Sequence, residues 1–132
     1  EDEVRQASSE ALVQVAKLLR APDLGRHVLT RVLQLAHDDE REDLRMNAAW
    51  LLNELAPHLG NDLCRQFLVP EIVSLSEDPA MRVRRQTAWN MHHLCRISQH
   101  LDGAGGRVLS AFHQLSQDDS HRVRRACAEA LP

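Results

Sequence analysis

Apolar residues recur along this chain at i, i+1, i+4 and i+7, the spacing of one helical face rather than strand alternation. VLTRVLQLAHDD at 28–39, LVPEIVSLSEDP at 68–79 and VLSAFHQLSQDD at 108–119 show it three times, each 40 residues after the last. Leu35, Leu75 and Leu115 coincide in that register, and so do Asp38, Asp78 and Asp118. A second kind of block follows. VRQASSEAL at 4–12, DLRMNAAW at 43–50, RVRRQTAW at 82–89 and RVRRACAE at 122–129 each place an apolar residue before an arginine. The pairs are Val4-Arg5, Leu44-Arg45, Val83-Arg84 and Val123-Arg124, spaced by 40, 39 and 40 residues. Self-similarity at such a period marks an array of two-helix units.

One unit therefore reads as helix A, a short acidic turn, then helix B. The pattern predicts A helices near 24–36, 60–76 and 104–116, and B helices near 3–20, 43–57, 80–100 and 120–131. Stops lie between repeats at Ala21-Pro22-Asp23, at Pro57-His58-Leu59-Gly60 and at the glycine-rich stretch 102–106. Proline cannot continue a helix, and glycine supplies left-handed caps. No strand precedes Gly103-Ala104-Gly105-Gly106, so this stretch reads as a flexible inter-repeat loop and not a phosphate cradle. Pro70 falls inside the second A helix and is expected to kink it. The chain divides into a B helix at 3–20 and repeats at 24–57, 60–100 and 104–131, about three and a half units in one segment. A solenoid needs polar terminal repeats, and neither end supplies a complete capping pair, so the segment is expected to belong to a longer array.

Composition narrows the class. The 132 residues suit one domain, with 43% hydrophobic and 27% charged residues, which excludes a disordered tail. Two Trp, two Phe and no Tyr leave Leu, Ala and Val to fill the core, and five Gly with five Pro cannot punctuate a β-sandwich. No apolar run is long enough to span a membrane. The acidic start EDEVRQASSE is not a secretory signal. Cys64, Cys95 and Cys127 form no CxxC and are an odd number, so they read as reduced thiols of a cytoplasmic or nuclear protein. The net charge of −3 divides as −4 over residues 1–66 and +1 over 67–132, too weak a gradient for a nucleic-acid binder.

The period, the leucine-rich end of helix A, the Asp, the Val-Arg and the following small residues together resemble HEAT repeats. In the third copy these are Leu75, Asp78, Val83-Arg84, Ala88, Met91 and Leu94. PAMRVRRQTAWNMHHLCRI, HRVRRACAEALP and DLRMNAAWLLNELAPHLGNDLCRQFLVPEI resemble the scaffold and regulatory subunits of the phosphatase 2A and phosphatase 4 group. The resemblance covers nearly the whole chain. It implies an all-α, right-handed solenoid of antiparallel helix pairs whose B helices line the concave face. It also implies an Asp–Arg ladder between neighbouring repeats, formed here by Asp38, Asp78, Asp118, Arg45, Arg84 and Arg124. In that group the A–B turns carry catalytic-subunit contacts; the equivalents here are 37–43, 76–81 and 117–121, with Asp39, Glu40, Glu42 and Glu77.

The residues themselves leave choices open. Arginines in the first turn of a helix oppose its dipole and need compensation, from a ladder or from phosphates gripped by a basic stripe. Counting about 100° per residue, Val83, Thr87, Met91 and Leu94 share one arc of helix B, and Arg85, Trp89, His92 and Arg96 the other. Trp50 is equivalent to Trp89, and Glu10 and Glu129 stand there in the other copies, so the position is not deep core. The two indoles are either local covers or a partner-binding patch with Arg85 and Arg96. His92-His93 point about 100° apart on a helix and chelate poorly, and no HExxH, GxSxG, phosphate loop or dinucleotide motif occurs. No catalytic residue, metal site, cofactor or small-molecule substrate is expected. The expected function is a non-catalytic scaffold binding a protein serine/threonine phosphatase catalytic subunit and other proteins. The alternatives are a HEAT adaptor for transport, cytoskeletal or chromatin assemblies and, behind it, a HEAT-like nucleic-acid binder.

Overall fold

The computed structural model describes residues 28–130, and over these the chain is all-α, with no strand among the described residues. The helices are α1 (Leu29–Ala36), α2 (Glu42–Leu63), α3 (Val69–Ser76), α4 (Met81–Trp89), α5 (His92–Arg96), α6 (Gly103–Leu115) and α7 (His121–Ala130). The expected B helix at 3–20, with Val4, Arg5 and Glu10, lies outside the described residues. So do the start of the first A helix and residues 131–132.

The helices α1, α3 and α6 contact one another in order along one row. The helices α2, α4 and α7 do the same along a second row, and each first-row helix packs on the helix that follows it. The apolar periodicity explains the seam. Leu29, Val32, Leu68, Val69, Ile72, Leu75, Val108 and Leu115 are buried from the first row, and Leu51, Leu52, Leu55, Val83, Met91, Leu94 and Val123 from the second. Leu44, which shares the register of Val83 and Val123, is half-buried. Aliphatic and alanine side chains let the helices approach closely, and the two tryptophans are not among the fully buried residues.

Three local features depart from the sequence-based expectation. The B helix expected at 43–57 starts at Glu42 and passes Pro57, and the break before the next A helix sits at Gly60 (φ 80°, ψ 165°), inside the stop expected at Pro57-His58-Leu59-Gly60. Glycine populates that region at no steric cost, so within the expected stop it is Gly60 and not Pro57 that breaks the helix. Nearby, the Cys64 thiol donates to the Ala56 carbonyl at 3.4 Å. Pro70 stands in the first turn of α3, directly after a widened π-helical turn at Cys64–Leu68. Its ring would clash with the carbonyl four residues back, and the wider turn removes the clash.

The B helix expected at 80–100 is broken into α4, α5 and a 3₁₀ turn at Ser98–His100. Asn90 (φ −113°, ψ 28°) ends α4. Its side-chain amide donates to the Gln86 carbonyl at 2.8 Å, and its own N–H turns to the Thr87 carbonyl. An Asn side chain has here displaced the main chain from a helical acceptor.

The glycine-rich stretch is the third departure. Gly103–Leu115 is continuous helix, so Gly103 to Gly106 form its first turn and not a loop. A Cβ on Gly105 would lie 1.9 Å from the Ser98 carbonyl oxygen, so glycine there allows α6 to seat against the 3₁₀ turn. Asp102, with φ 54°, turns the chain into α6, and its carboxylate accepts from Arg65 at 3.0 Å.

Candidate partner-binding surfaces

Three acidic turns and the helix starts behind them share one construction. Asp78 Oδ1 accepts the Ala80 N–H at 2.9 Å, Asp118 Oδ1 the Ser120 N–H at 2.9 Å, and Asp38 Oδ1 the N–H groups of Glu40 and Arg41 at 3.0 and 2.9 Å. Each following arginine reaches back to the carbonyl of its own turn. Arg45 donates to Asp38 O and Arg84 to Asp78 O, both at 2.8 Å, and Arg124 donates to Asp118 O. The remaining guanidinium edge crosses to the next repeat. Arg45 Nε meets Asp78 Oδ2 at 2.8 Å and its Nη2 meets Oδ1 at 3.1 Å. Arg84 repeats this on Asp118 at 2.8 and 3.3 Å. A planar fork that satisfies a carboxylate twice is the strongest form of this interaction.

The Arg84 fork does not engage the Asp78 carboxylate within its own unit; that carboxylate belongs to Arg45. The physical reason is reach, since Nη1 already occupies the Asp78 carbonyl and the rest of the fork points to the neighbour. Burial alone would push the Asp118 carboxyl up. Hydrogen bonds from Arg84 and the Ser120 N–H, with the charges of Arg84 and Arg124, outweigh burial and hold it below its ordinary value. The Asp78 hydrogen bond raises Arg45 against the opposing effect of burial. Asp38 has its equivalent partner position at Arg5, outside the described residues.

On the same ridge, Asp39, Glu40 and Glu77 are exposed. Glu42 differs: it is half-buried and accepts Arg82 Nη1 at 3.0 Å. This pair gives Arg82 a partner on the preceding helix of its row, and sequence spacing showed no sign of it. Glu71, also unnoticed in the sequence, meets His37 Nε2 at 2.7 Å.

The second-row face carries the tryptophans. Trp89 is 37% exposed, with the Arg85 guanidinium carbon 5.2 Å from its ring centroid. Trp50 is half-buried and packs against the apolar core. Val83, Thr87, Met91 and Leu94 are fully buried on the opposite arc. His92 lies over Asn53, whose amide is 3.3 Å from Nε2, while Nδ1 is 3.3 Å from the Trp89 carbonyl. Trp89, His92 and Arg96 line a groove of about 900 Å3 that also takes in Cys95 and Glu129. A smaller depression of about 400 Å3 adjoins it, sharing Trp89 and Glu129 and adding Arg85, His121, Arg122 and Arg125. Acrylamide is therefore expected to quench Trp89 emission more strongly than that of Trp50. Comparing Trp50→Phe with Trp89→Phe measures it, and equal quenching would contradict the different burial of the two rings.

Little on the described residues suggests bond-making chemistry. Cys64, Cys95 and Cys127 are free thiols, and burial pushes each up to about 11, so none is a ready nucleophile. Among the described residues no group of three or more His, Cys, Asp or Glu is placed to hold a metal. No helix among them is long and apolar enough to cross a membrane.

No family model matches the chain. Over 133 aligned residues it is 27% identical to serine/threonine-protein phosphatase 4 regulatory subunit 1 of Homo sapiens. The proteins of the same name from Rattus norvegicus and Mus musculus match equally, at 27%. Each alignment takes in 98% of this chain and 14% of the relative, so the chain spans a small part of the length of these proteins. The similarity is distant, and the relatives are regulatory subunits.

Proposed function

We propose that this chain is a section of a right-handed HEAT-type solenoid that acts as a non-catalytic scaffold or regulatory subunit of a protein serine/threonine phosphatase of the phosphatase 4/2A type. The observation that carries the reading is the similarity to phosphatase 4 regulatory subunit 1 along 98% of the chain. The repeated Arg–Asp forks at Arg45–Asp78 and Arg84–Asp118 support it, because a linkage that recurs once per unit lets units stack indefinitely. In this reading the protein works in the cytoplasm or nucleus. The acidic turns face the catalytic subunit, and the second-row face is left to other protein partners.

Affinity purification of the full-length protein tests the reading, with recovery of a phosphatase 4 or 2A catalytic subunit as the expected result. Reversing charge at Asp39, Glu40 and Glu77 is expected to weaken that capture roughly tenfold and to leave the melting temperature unchanged. These carboxylates are exposed, so the fold loses little, while a basic partner surface loses its complement. Glu42 belongs outside the clean test because its reversal also breaks the pair with Arg82. Capture that survives all three reversals would remove the ridge from the interface. Recovery of a transport, cytoskeletal or chromatin assembly with no phosphatase would favour the adaptor reading.

A further inference from the structure

We infer that the depression between α4 and α7 binds an acidic peptide segment of a partner protein, seating one apolar side chain on Trp89 and carboxylates on the surrounding arginines. This deepens the scaffold reading, on which it rests, by naming the chemistry of the second partner. The first observation is charge. Most first-turn arginines of this row are compensated: Arg82 by Glu42, Arg84 by Asp118, and Arg124 by the Asp118 and Asp119 carbonyls. Those facing the depression are not compensated in the same way. The Arg122 guanidinium meets no carboxylate among the described residues, and Arg85 Nε is buried with no hydrogen-bond partner. Among the described residues Arg125 pairs with Glu129 alone, at 3.1 Å, with side chains exposed by 80% and 54%. Three arginines and His121 thus face one glutamate.

The second observation is the N-terminal end of α7, a ten-residue helix that brings Arg122 and Arg125 to the depression. Its dipole already presents positive potential there, so these arginines oppose the helix and are stabilised by an incoming anion. The third observation is Trp89, which shares this depression and is covered on one side by Arg85. An exposed indole beside guanidinium groups suits a peptide that alternates apolar and acidic side chains. A continuous phosphate backbone suits it less well, because it carries a charge at every step past Glu129, whereas a peptide can set its apolar side chain there.

The probe is a fluorescein-labelled nonapeptide with a central phenylalanine flanked on each side by glutamates, titrated against the full-length protein by anisotropy. Binding is expected, weakening as salt rises. Trp89→Ala is expected to weaken it about tenfold or more, the size of effect a central aromatic anchor carries. Because Trp89 is partly buried, the exposed substitution Arg122→Glu provides a second variant that spares the core, and the same loss is expected from it. Replacing the central phenylalanine by serine should likewise reduce binding. The inference is overturned if the peptide does not bind, or if both variants or the serine peptide bind as well as the parent. It is also overturned if an oligothymidine competes at equal concentration, which would make the site one for nucleic acid. Self-association lost in the Trp89 variant would give the face to a second copy instead. Capture of the phosphatase catalytic subunit by the same variants separates the two readings. Peptide binding without phosphatase capture sinks only the phosphatase assignment, and capture without peptide binding sinks only this inference.

Discussion

Gly105→Ala is expected to destabilise the protein by about 3 kcal/mol, at the upper end of what overpacking costs. The added Cβ would meet the Ser98 carbonyl oxygen at 1.9 Å and its carbon at 2.8 Å. Both are backbone atoms of the 3₁₀ turn, so no side chain can swing aside, and either α6 or that turn must shift. Gly106→Ala is the matched control. Nothing lies within 4 Å of its Cβ position, and alanine in a helix is favoured over glycine by roughly 0.5–1 kcal/mol. The two neighbouring substitutions should therefore move the urea midpoint in opposite directions. A tolerated Gly105→Ala would mean that α6 does not rest on the Ser98 turn.

Arg84→Ala should cost about 2 kcal/mol, since hydrogen bonds to charged groups contribute roughly 1.5–3 each and the pair is only partly buried. The side chains of Arg84 and Asp118 are 20% and 12% exposed, which leaves Asp118 poorly solvated once its fork is gone. Asp118→Ala should cost a similar amount, and the double variant clearly less than the sum. Arg84→Ala with Asp78→Ala should be close to additive, because Arg84 uses only the Asp78 carbonyl and the Asp78 carboxylate serves Arg45. Two denaturation cycles read the difference.

Acid provides an independent check. The Asp118 carboxyl is held below its ordinary value in the folded state, so its contribution is present above the unfolded aspartate range, about pH 4, and disappears as pH falls through the folded value. Arg84→Ala removes the main support for that depression. Its stability should accordingly fall less steeply below about pH 4 than that of the parent.

The site was partly legible. That position 89 is not deep core could be read from the glutamates at its equivalents, and Trp89 is exposed. The same reasoning gives no warning that Trp50 is half-buried, because exposure at a shared helical register depends on what the neighbouring helix presents. Arg122, Arg125 and Glu129 gather beside Trp89 only because α7 packs on α4, forty residues later in the chain. No local spacing carries that information.

The sequence by itself determined the helical class, the period near forty and the apolar seam, because all three are written in side-chain periodicity and each helix needs one buried face. It also placed one aspartate and one arginine in every unit. Tertiary structure decided which carboxylate meets which guanidinium, since that depends on how far each fork reaches across a helix pair. It also decided where the helices break. Within the stop expected at 57–60 it put the break at Gly60 and carried helix past Pro57; Asn90 took a backbone acceptor, and the glycines at 103–106 form helix with Gly105 against Ser98. Backbone propensities are small, often below 1 kcal/mol per residue, and packing over a whole helix face outweighs them.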